Sequence, residues 1–233
     1  GILEKTPGGN FILYQTILPD SSLVSQIEVL ELERATGNNV ASKAERISRV
    51  EPILISQMLS VGNALYAVGA QQMPNPALGA RHLLMQLDTT NYQPQWAKIS
   101  HINAQSVANL ISEDLLVDND TLVSLYANVD TSGGSVQNQI FLQKATLTGD
   151  LLWVKQYDLP QTTTETPLDL VKMGTGYGIY GLAGNEYFVL ATDHDGNLQK
   201  GIRFNNGTAT ATTFLPFAKS EAFVQTGRLY LHG

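Results

Sequence analysis

Cysteine is missing from this chain. That excludes disulfides, zinc-thiolate sites, iron–sulfur clusters and cysteine nucleophiles. Cytosolic proteins keep some reduced cysteine as a small hydrophobe, so its absence points toward an exported bacterial protein. Charge is scarce too. Asp, Glu, Lys and Arg make up 15% of the residues, against about a quarter in an average domain. The balance is acidic, with a formal net charge of -7 and no basic block. Nucleic-acid binders cluster Lys and Arg to displace phosphate counterions, so neither a nucleic acid nor an anionic membrane surface is expected as a partner.

Residues 52–80 carry no charge at all, yet Ser56, Gln57, Ser60, Asn63, Gln71, Gln72 and Asn75 interrupt the stretch and Pro74 and Pro76 lie near its end. A membrane span is therefore not expected; two strands joined by Gly62-Asn63 are. The opening residues, Gly1-Ile2-Leu3-Glu4-Lys5, include no Met and no signal-peptide pattern, so localisation is not legible at this end. Catalytic signatures are lacking as well. No G-x-S-x-G, S-x-x-K or H-E-x-x-H occurs. Gly174-Thr175-Gly176-Tyr177-Gly178 is glycine-rich but leads into a strand pattern, so no helix N-terminus is there to hold phosphate.

What is present is a repeat. An apolar residue followed by Tyr recurs inside short apolar runs at Leu13-Tyr14, Leu65-Tyr66, Leu125-Tyr126, Ile179-Tyr180 and Leu229-Tyr230. A second apolar run follows each of the first four, then a polar turn, then a segment with Trp or Lys. The turns are Thr36-Gly37-Asn38, Asp88 to Asn91, Thr148-Gly149-Asp150 and Asp193 to Asn197. They lead into Ser42-Lys43, Trp96-Ala97-Lys98, Trp153-Val154-Lys155 and Lys200-Gly201-Ile202, so Trp96 and Trp153 share one repeat position. A further apolar segment precedes the Tyr strand, as in Ile53 to Leu59, Leu110 to Val117, Leu168 to Met173 and Ala222 to Val224. The unit reads as four strands, A to D, in about 50 residues.

Strands B and C are near-continuous apolar runs, such as Phe11-Ile12-Leu13-Tyr14 and Phe188-Val189-Leu190-Ala191. Continuous runs imply burial on both faces, whereas strand D alternates and is polar. That gradient predicts an all-β fold, a β-propeller of four-stranded antiparallel blades, each blade covered by two neighbours and edged by its outermost strand. The blades are expected at about 1–50, 51–104, 105–160 and 161–207, with a partial fifth over 213–233. That leaves an open blade edge, for another segment or another chain to complete. Residues 22–36, with Ser22 as N-cap, and residues 105–117 read alternatively as amphipathic helices; the recurring Tyr strand favours strands in both places.

One copy, Gly176-Tyr177-Gly178-Ile179-Tyr180-Gly181, then Phe188 to Thr192-Asp193, then Gly196-Asn197-Leu198-Gln199-Lys200, resembles the repeats of secreted bacterial β-propeller proteins. Those repeats read G-G-Y-x-x-x-G, a strand ending T-D, then x-x-G-N-x-x-W-x-K-x-Y/F. Lys200 stands where Trp is usual, while Trp153-Val154-Lys155-Gln156-Tyr157 matches that end of the pattern. The resemblance implies the fold and little about activity, since propellers carry enzymes, lectins and scaffolds alike.

No catalytic residue or cofactor is assigned from the sequence. Asp193, Asp195 and Asn197 resemble the opening of a calcium loop, but turn chemistry accounts for the same residues; the same holds for Asp118-Asn119-Asp120. His82, His101, His194 and His232 form no spaced ligand pair. Glu113-Asp114 and Glu165 lie in or near strand A, which lines a propeller's channel, where glycosidases place paired acids. Tyr177, Tyr187, Trp96 and Trp153 would stack on sugars if exposed; their repeat position makes them blade packing. Asn206-Gly207-Thr208 is a glycosylation sequon. The functional expectation is a binding or scaffolding module, exported or at the cell surface. It would take a protein or glycan ligand on rim loops at about 16–26, 71–81, 128–138 and 158–166. The alternatives are a carbohydrate-active enzyme on the same scaffold and an assembly subunit that recruits another chain through the open edge.

Overall fold

The computed structural model describes residues 2–5, 11–17, 26–46, 53–72, 80–100, 107–130, 137–159, 165–184, 186–204, 221–225 and 228–232. Among the described residues all regular structure is strand, and no helix is long and apolar enough to cross a membrane. The first sheet holds β1 (Ile2–Lys5), β2 (Phe11–Ile17), β3 (Gln26–Leu32) and β4 (Asn39–Arg46); the second holds β5 (Ile53–Val61), β6 (Ala64–Gln72), β7 (Ala80–Asp88) and β8 (Pro94–Ile99). The third holds β9 (Val107–Asp118), β10 (Thr121–Asp130), β11 (Gln137–Thr146) and β12 (Leu151–Tyr157); the fourth holds β13 (Glu165–Met173), β14 (Gly176–Ala183), β15 (Glu186–Asp193) and β16 (Leu198–Phe204). A hairpin of β17 (Glu221–Gln225) and β18 (Arg228–His232) follows. Every sheet is an antiparallel meander in chain order. Within the two segments with a helical alternative, the described residues form β3 and the turn after it in one and β9 in the other, with no helix.

The chain divides into two compact units, residues 1–103 and 104–233. In the first, Ile27 and Val29 of β3 share a core with Met58, Leu65, Leu83 and Met85 of the second sheet. In the second, Val123, Leu125, Ile140 and Leu142 of one sheet pack with Tyr177, Ile179, Phe188 and Leu190 of the next. The inner strands β10 and β14 are buried on both faces, with Leu122 to Asn128 and Gly176 to Gly181 all buried, whereas β3 and β15 alternate between buried and half-buried residues. The outer strand β8 is half-buried at best.

Two irregularities recur at fixed places. The residue closing each C–D turn has a left-handed backbone: Gly37 (φ 70°), Tyr92 (φ 57°), Gly149 (φ 81°) and Gly196 (φ 76°). Each C–D ladder then slips by one residue, leaving Val40, Gln95, Leu152 and Gln199 without a partner across the ladder. A short hairpin loop ending in a left-handed residue makes such a bulge. Counted from that residue, Trp96 and Trp153 are equivalent to Ala41 and Lys200. The first copy is therefore aligned one residue before Ser42, because its loop and bulge are set by Gly37.

The second irregularity lies between strands A and B. It sets Ser56, Glu113 and Leu168 out of register, opposite Val68/Gly69, Leu125/Tyr126 and Tyr180/Gly181. The tyrosines share the B strand but not one register. From the first paired residue of each B strand, Tyr66 is the third, Tyr126 the sixth and Tyr180 the fifth. Tyr66, Tyr126 and Tyr180 are buried; the side chains of Tyr14 and Tyr230 lie outside the described residues.

Within the second unit, β12 clasps the turn of the following sheet. A Cβ added at Gly196 would meet the Trp153 ring and Lys155 Cγ at 2.8 Å. The Tyr157 hydroxyl donates to Gly196 O at 2.7 Å, and Lys155 Nζ donates to Asn197 Oδ1 at 3.1 Å. A Cβ at Gly37 would meet nothing within 4 Å. Alanine at either glycine costs about 1–2 kcal/mol for the left-handed backbone, but only at Gly196 must Trp153 also move. Urea unfolding of Gly196→Ala is therefore expected to show the larger loss of stability; equal losses for the two variants would remove the clasp as a contributor.

Candidate functional site

The A–B bulge places a side chain of particular consequence. The residue after the displaced one is Gln57, Asp114 or Asp169 in the three sheets. Asp114 on β9 and Asp169 on β13 are both buried and share a hydrogen bond. Asp114 Oδ1 accepts the Leu115 amide at 2.8 Å and its Oδ2 accepts the Leu170 amide of β13 at 2.9 Å. Asp169 Oδ1 also accepts from Leu170, at 2.9 Å. Burial first, then the hydrogen bond and charge of Asp169, push the Asp114 pKa far above the ordinary carboxylate range, against the pull of the Leu170 and Leu115 amides. The pair therefore holds a proton near neutral pH. Glu165, the first residue of β13, is fully buried. The side chain of Glu113 lies outside the described residues.

At the A–B turn of the third sheet, Asp118 is 3% exposed. It is not merely a turn residue. Its Oδ2 accepts from the Tyr177 hydroxyl at 2.6 Å and from Lys144 Nζ at 3.2 Å, with His194 Nδ1 at 3.4 Å. Its Oδ1 meets Lys172 Nζ at 2.5 Å and Asn119 Nδ2 at 3.3 Å. Lys144 also donates to the Tyr177 hydroxyl at 2.8 Å. Burial alone would raise the Asp118 pKa; hydrogen bonds from Lys172, Tyr177 and Lys144 and the Lys144 charge outweigh it and hold the carboxyl well below its usual range. Burial and the bond to Asp118 drive the Tyr177 hydroxyl the other way. Five side chains, from three strands and two turns, thus converge on one carboxylate and tie the third sheet to the fourth.

Asp193, Asp195 and Asn197 lie on the C–D turn of the fourth sheet. Asp193 Oδ1 accepts the amides of Asp195 (3.0 Å) and Asn197 (2.8 Å). Its Oδ2 accepts from Asn197 Nδ2 (3.0 Å) and Gln199 Nε2 (3.1 Å). Bonds from the Asn197 side chain and amide, with those from Asp195 and Gln199, hold its pKa below the usual range against a smaller effect of burial. Both oxygens that would face a cation are engaged in closing the turn. Among the described residues no three acidic or histidine side chains converge as metal ligands.

The aromatic residues are packed. Tyr177 is fully buried, with Trp153 6.4 Å away, and Tyr187 stacks on Tyr180 at 5.8 Å. Trp96 donates to Gln86 Oε1 at 2.7 Å and lies 6.2 Å from Tyr66. His82 is buried, and desolvation pushes its pKa down to about 3. His101, the side chain of His232, Asn206-Gly207-Thr208 and most of the proposed rim loops lie outside the described residues. Sequence reasoning reached Asp114 and Glu165 but missed Asp169. The available signal was the shared place of Asp114 and Asp169 in strand A, hidden by the one-residue bulge.

No family model matches the sequence, and no curated protein matches it. Solved structures do. The polysaccharide lyase Uly1 superposes with a TM-score of 0.56 at 12% identity, over 98% of this chain and 53% of that one. A GH93 α-L-arabinofuranosidase of Fusarium graminearum, solved with arabinobiose, gives 0.55 at 14% identity, over 90% and 63%. A mutant levansucrase of B. megaterium gives 0.54 at 11% identity, over 88% and 67%. The chain spans between about half and two thirds of these proteins' own length. The shared fold is the β-propeller, and the four-stranded sheets are its blades.

The two carboxylates give opposite pH signatures. Asp118 has a depressed folded pKa, so its contribution is present above about pH 4 and is lost as acid titrates it. Asp118→Asn is expected to cost about 3–5 kcal/mol at neutral pH, as when one partner of a buried ion pair is removed, and to flatten the acid limb of urea-unfolding stability. An unchanged acid limb would deny Asp118 this role. Asp114 has a raised folded pKa, so its contribution is complete below about pH 4 and falls as pH rises. Asp114→Asn, which keeps a hydrogen-bond donor toward Asp169, is expected to flatten the fall in stability between about pH 4 and the folded pKa of about 8 and to equal or exceed the wild type above it. Parallel wild-type and variant profiles there would show that the pair does not share a proton.

Proposed function

We propose that this chain is a glycan-binding β-propeller module of an exported or cell-surface bacterial protein, with its ligand taken on the rim where β13 begins. The observation that carries the non-catalytic part of this reading is that Asp114 Oδ2 and Asp169 Oδ1 both accept the one Leu170 amide, at 2.9 Å each, and are hydrogen-bonded to one another. Glycosidases of either stereochemistry hold their two carboxyl groups about 5–9.5 Å apart, leaving room for sugar or water between them. A hydrogen-bonded pair sits within about 3 Å, and here two main-chain amides occupy the same oxygens. The pair serves the scaffold, satisfying the Leu170 amide beside the β13 bulge. The glycan class is supported by the fold neighbours, which include a polysaccharide lyase, an arabinofuranosidase and a levansucrase. A net charge of -7 favours a neutral glycan over a polyuronate.

A carbohydrate-active enzyme is the second reading, and one observation favours it. Asp114 keeps its proton near neutrality on strand A of its blade, which is the condition a general acid must meet. One experiment separates the readings. Affinity electrophoresis in gels containing arabinan, levan or a polyuronate, run beside an assay for released reducing ends, is expected to show retardation by a neutral polysaccharide and no release. Release of sugar that disappears in Asp114→Asn would replace the binding reading with the enzymatic one. Free migration in all three gels would remove the glycan.

A further inference from the structure

The turn at 193–197 is tied to the third blade at two points, and the two ties differ in kind. One is the β12 clasp, in which Tyr157 donates to Gly196 O and Lys155 to Asn197 Oδ1. The other is His194, at the opposite end of the same turn. Its ring meets that of Tyr177 nearly at right angles, with centroids 5.7 Å apart, and its Nδ1 lies 3.4 Å from Asp118 Oδ2. That separation is longer than the roughly 2.7–3.2 Å of an N–H···O hydrogen bond. Tyr177, Lys144 and Lys172 all approach the Asp118 carboxylate more closely. A neutral imidazole therefore holds Asp118 weakly. An imidazolium brings a full charge and two N–H donors, and charge-assisted bonds of this kind close to about 2.7–2.9 Å.

The surroundings suit that proton. The His194 side chain is 47% exposed, so water delivers it, while the carboxylate that it faces is 3% exposed. Hydrogen bonds from Lys172, Tyr177 and Lys144 keep Asp118 ionised. The charges around the ring are of both signs. Lys144 of β11 and Lys172 of β13 oppose an imidazolium. Asp118 and Asp120 on the A–B turn, and Asp193 and Asp195 on either side of His194, favour it. The carboxylates outnumber the lysines. Tyr177 of β14 stays protonated as a donor to Asp118, its hydroxyl pushed upward by burial and by that carboxylate.

We propose that His194 is a proton-operated latch between the third and fourth blades, which pairs with Asp118 in mild acid and draws the 193–197 turn onto the A–B turn of β9 and β10. The clasp residues Lys155 and Tyr157 hold the far end of the turn throughout the range of about pH 5–8 in which imidazoles titrate. The latch thus adds a second, reversible tie to a permanent one, and it operates without any glycan.

Hydrogen exchange reads the latch where it acts. The amides of Asp195 and Asn197 are bonded to Asp193 Oδ1 within the turn, so their protection reports its opening. His194→Phe keeps a ring beside Tyr177 and takes up no proton. It is expected to lower the protection factors of both amides about threefold at about pH 5.5, the size of a partly exposed ion pair, and to leave them unchanged at about pH 8. The carboxyl carbon resonance of Asp118 should follow the His194 titration in the unmodified chain and lose that step in His194→Phe. Asp114 and Asp169 are the same in both chains, so their titration cancels from the comparison. Equal losses of protection at both pH values would make His194 a packing residue, and no loss in acid would leave the turn to the clasp alone. Either result overturns the proposal, as does an Asp118 resonance indifferent to His194.

Discussion

The inner strands β10 and β14 are buried on both sides, and that constraint governs the rest. β10 and β14 bury all of their central residues, so a single sheet has no face on which it tolerates water. A blade finds cover only in another blade. Burial then creates a secondary problem, because sheets joined face to face trap the polar groups of their turns and bulges. Such groups cost roughly 1–3 kcal/mol each when left unsatisfied. The side chains at the joint of the third and fourth blades are arranged to meet that demand. Tyr157 and Lys155 reach the turn, Asp118 gathers two lysines and a tyrosine, and Asp114 takes the Leu170 amide.

Asp114 and Asp118 lie four residues apart on β9 and are both buried, yet their protonation is opposite. What differs is the company each keeps. Asp118 faces Lys144 and Lys172, whose charges and donors compensate its desolvation. Asp114 faces another carboxyl group, so its burial is relieved by a proton instead. The joint thus holds one permanent charge and one titrating pair, with maximal stability between the limits that each sets.

The fold was legible because its signals are local. A left-handed residue, an apolar run and the Trp or Lys of the outer strand follow from short-range sequence, and they place the blades. Register was less legible. Counted through the C–D bulge, Tyr14 and Tyr180 mark one position, but Tyr66 is displaced by two residues and Tyr126 by one, since any large apolar residue fills such a strand. The outer strand was read one residue late in its first copy, at Ser42 instead of Ala41, because a bulge is invisible to alternation. The acid pair was half legible. Asp114 stood out beside Glu113, whereas Asp169 comes next to Asp114 only because two strands carry the same bulge. Asp118 read as a turn residue, since nothing local shows lysines arriving from β11 and β13.

The unpaired residues Val40, Gln95, Leu152 and Gln199 have one more consequence. Each lies near the start of an outermost strand, and all four are exposed. A flat outer strand presents a regular row of amides and carbonyls, a template on which a foreign strand can grow into an aggregate. One extra residue breaks the spacing of that row and turns the strand away from the sheet plane. Placed in each of the four four-stranded blades, it blunts the peripheral rows against indiscriminate cross-β growth. Encounters between molecules are thereby turned from backbone pairing, which accepts almost any sequence, toward side-chain surfaces, which do not.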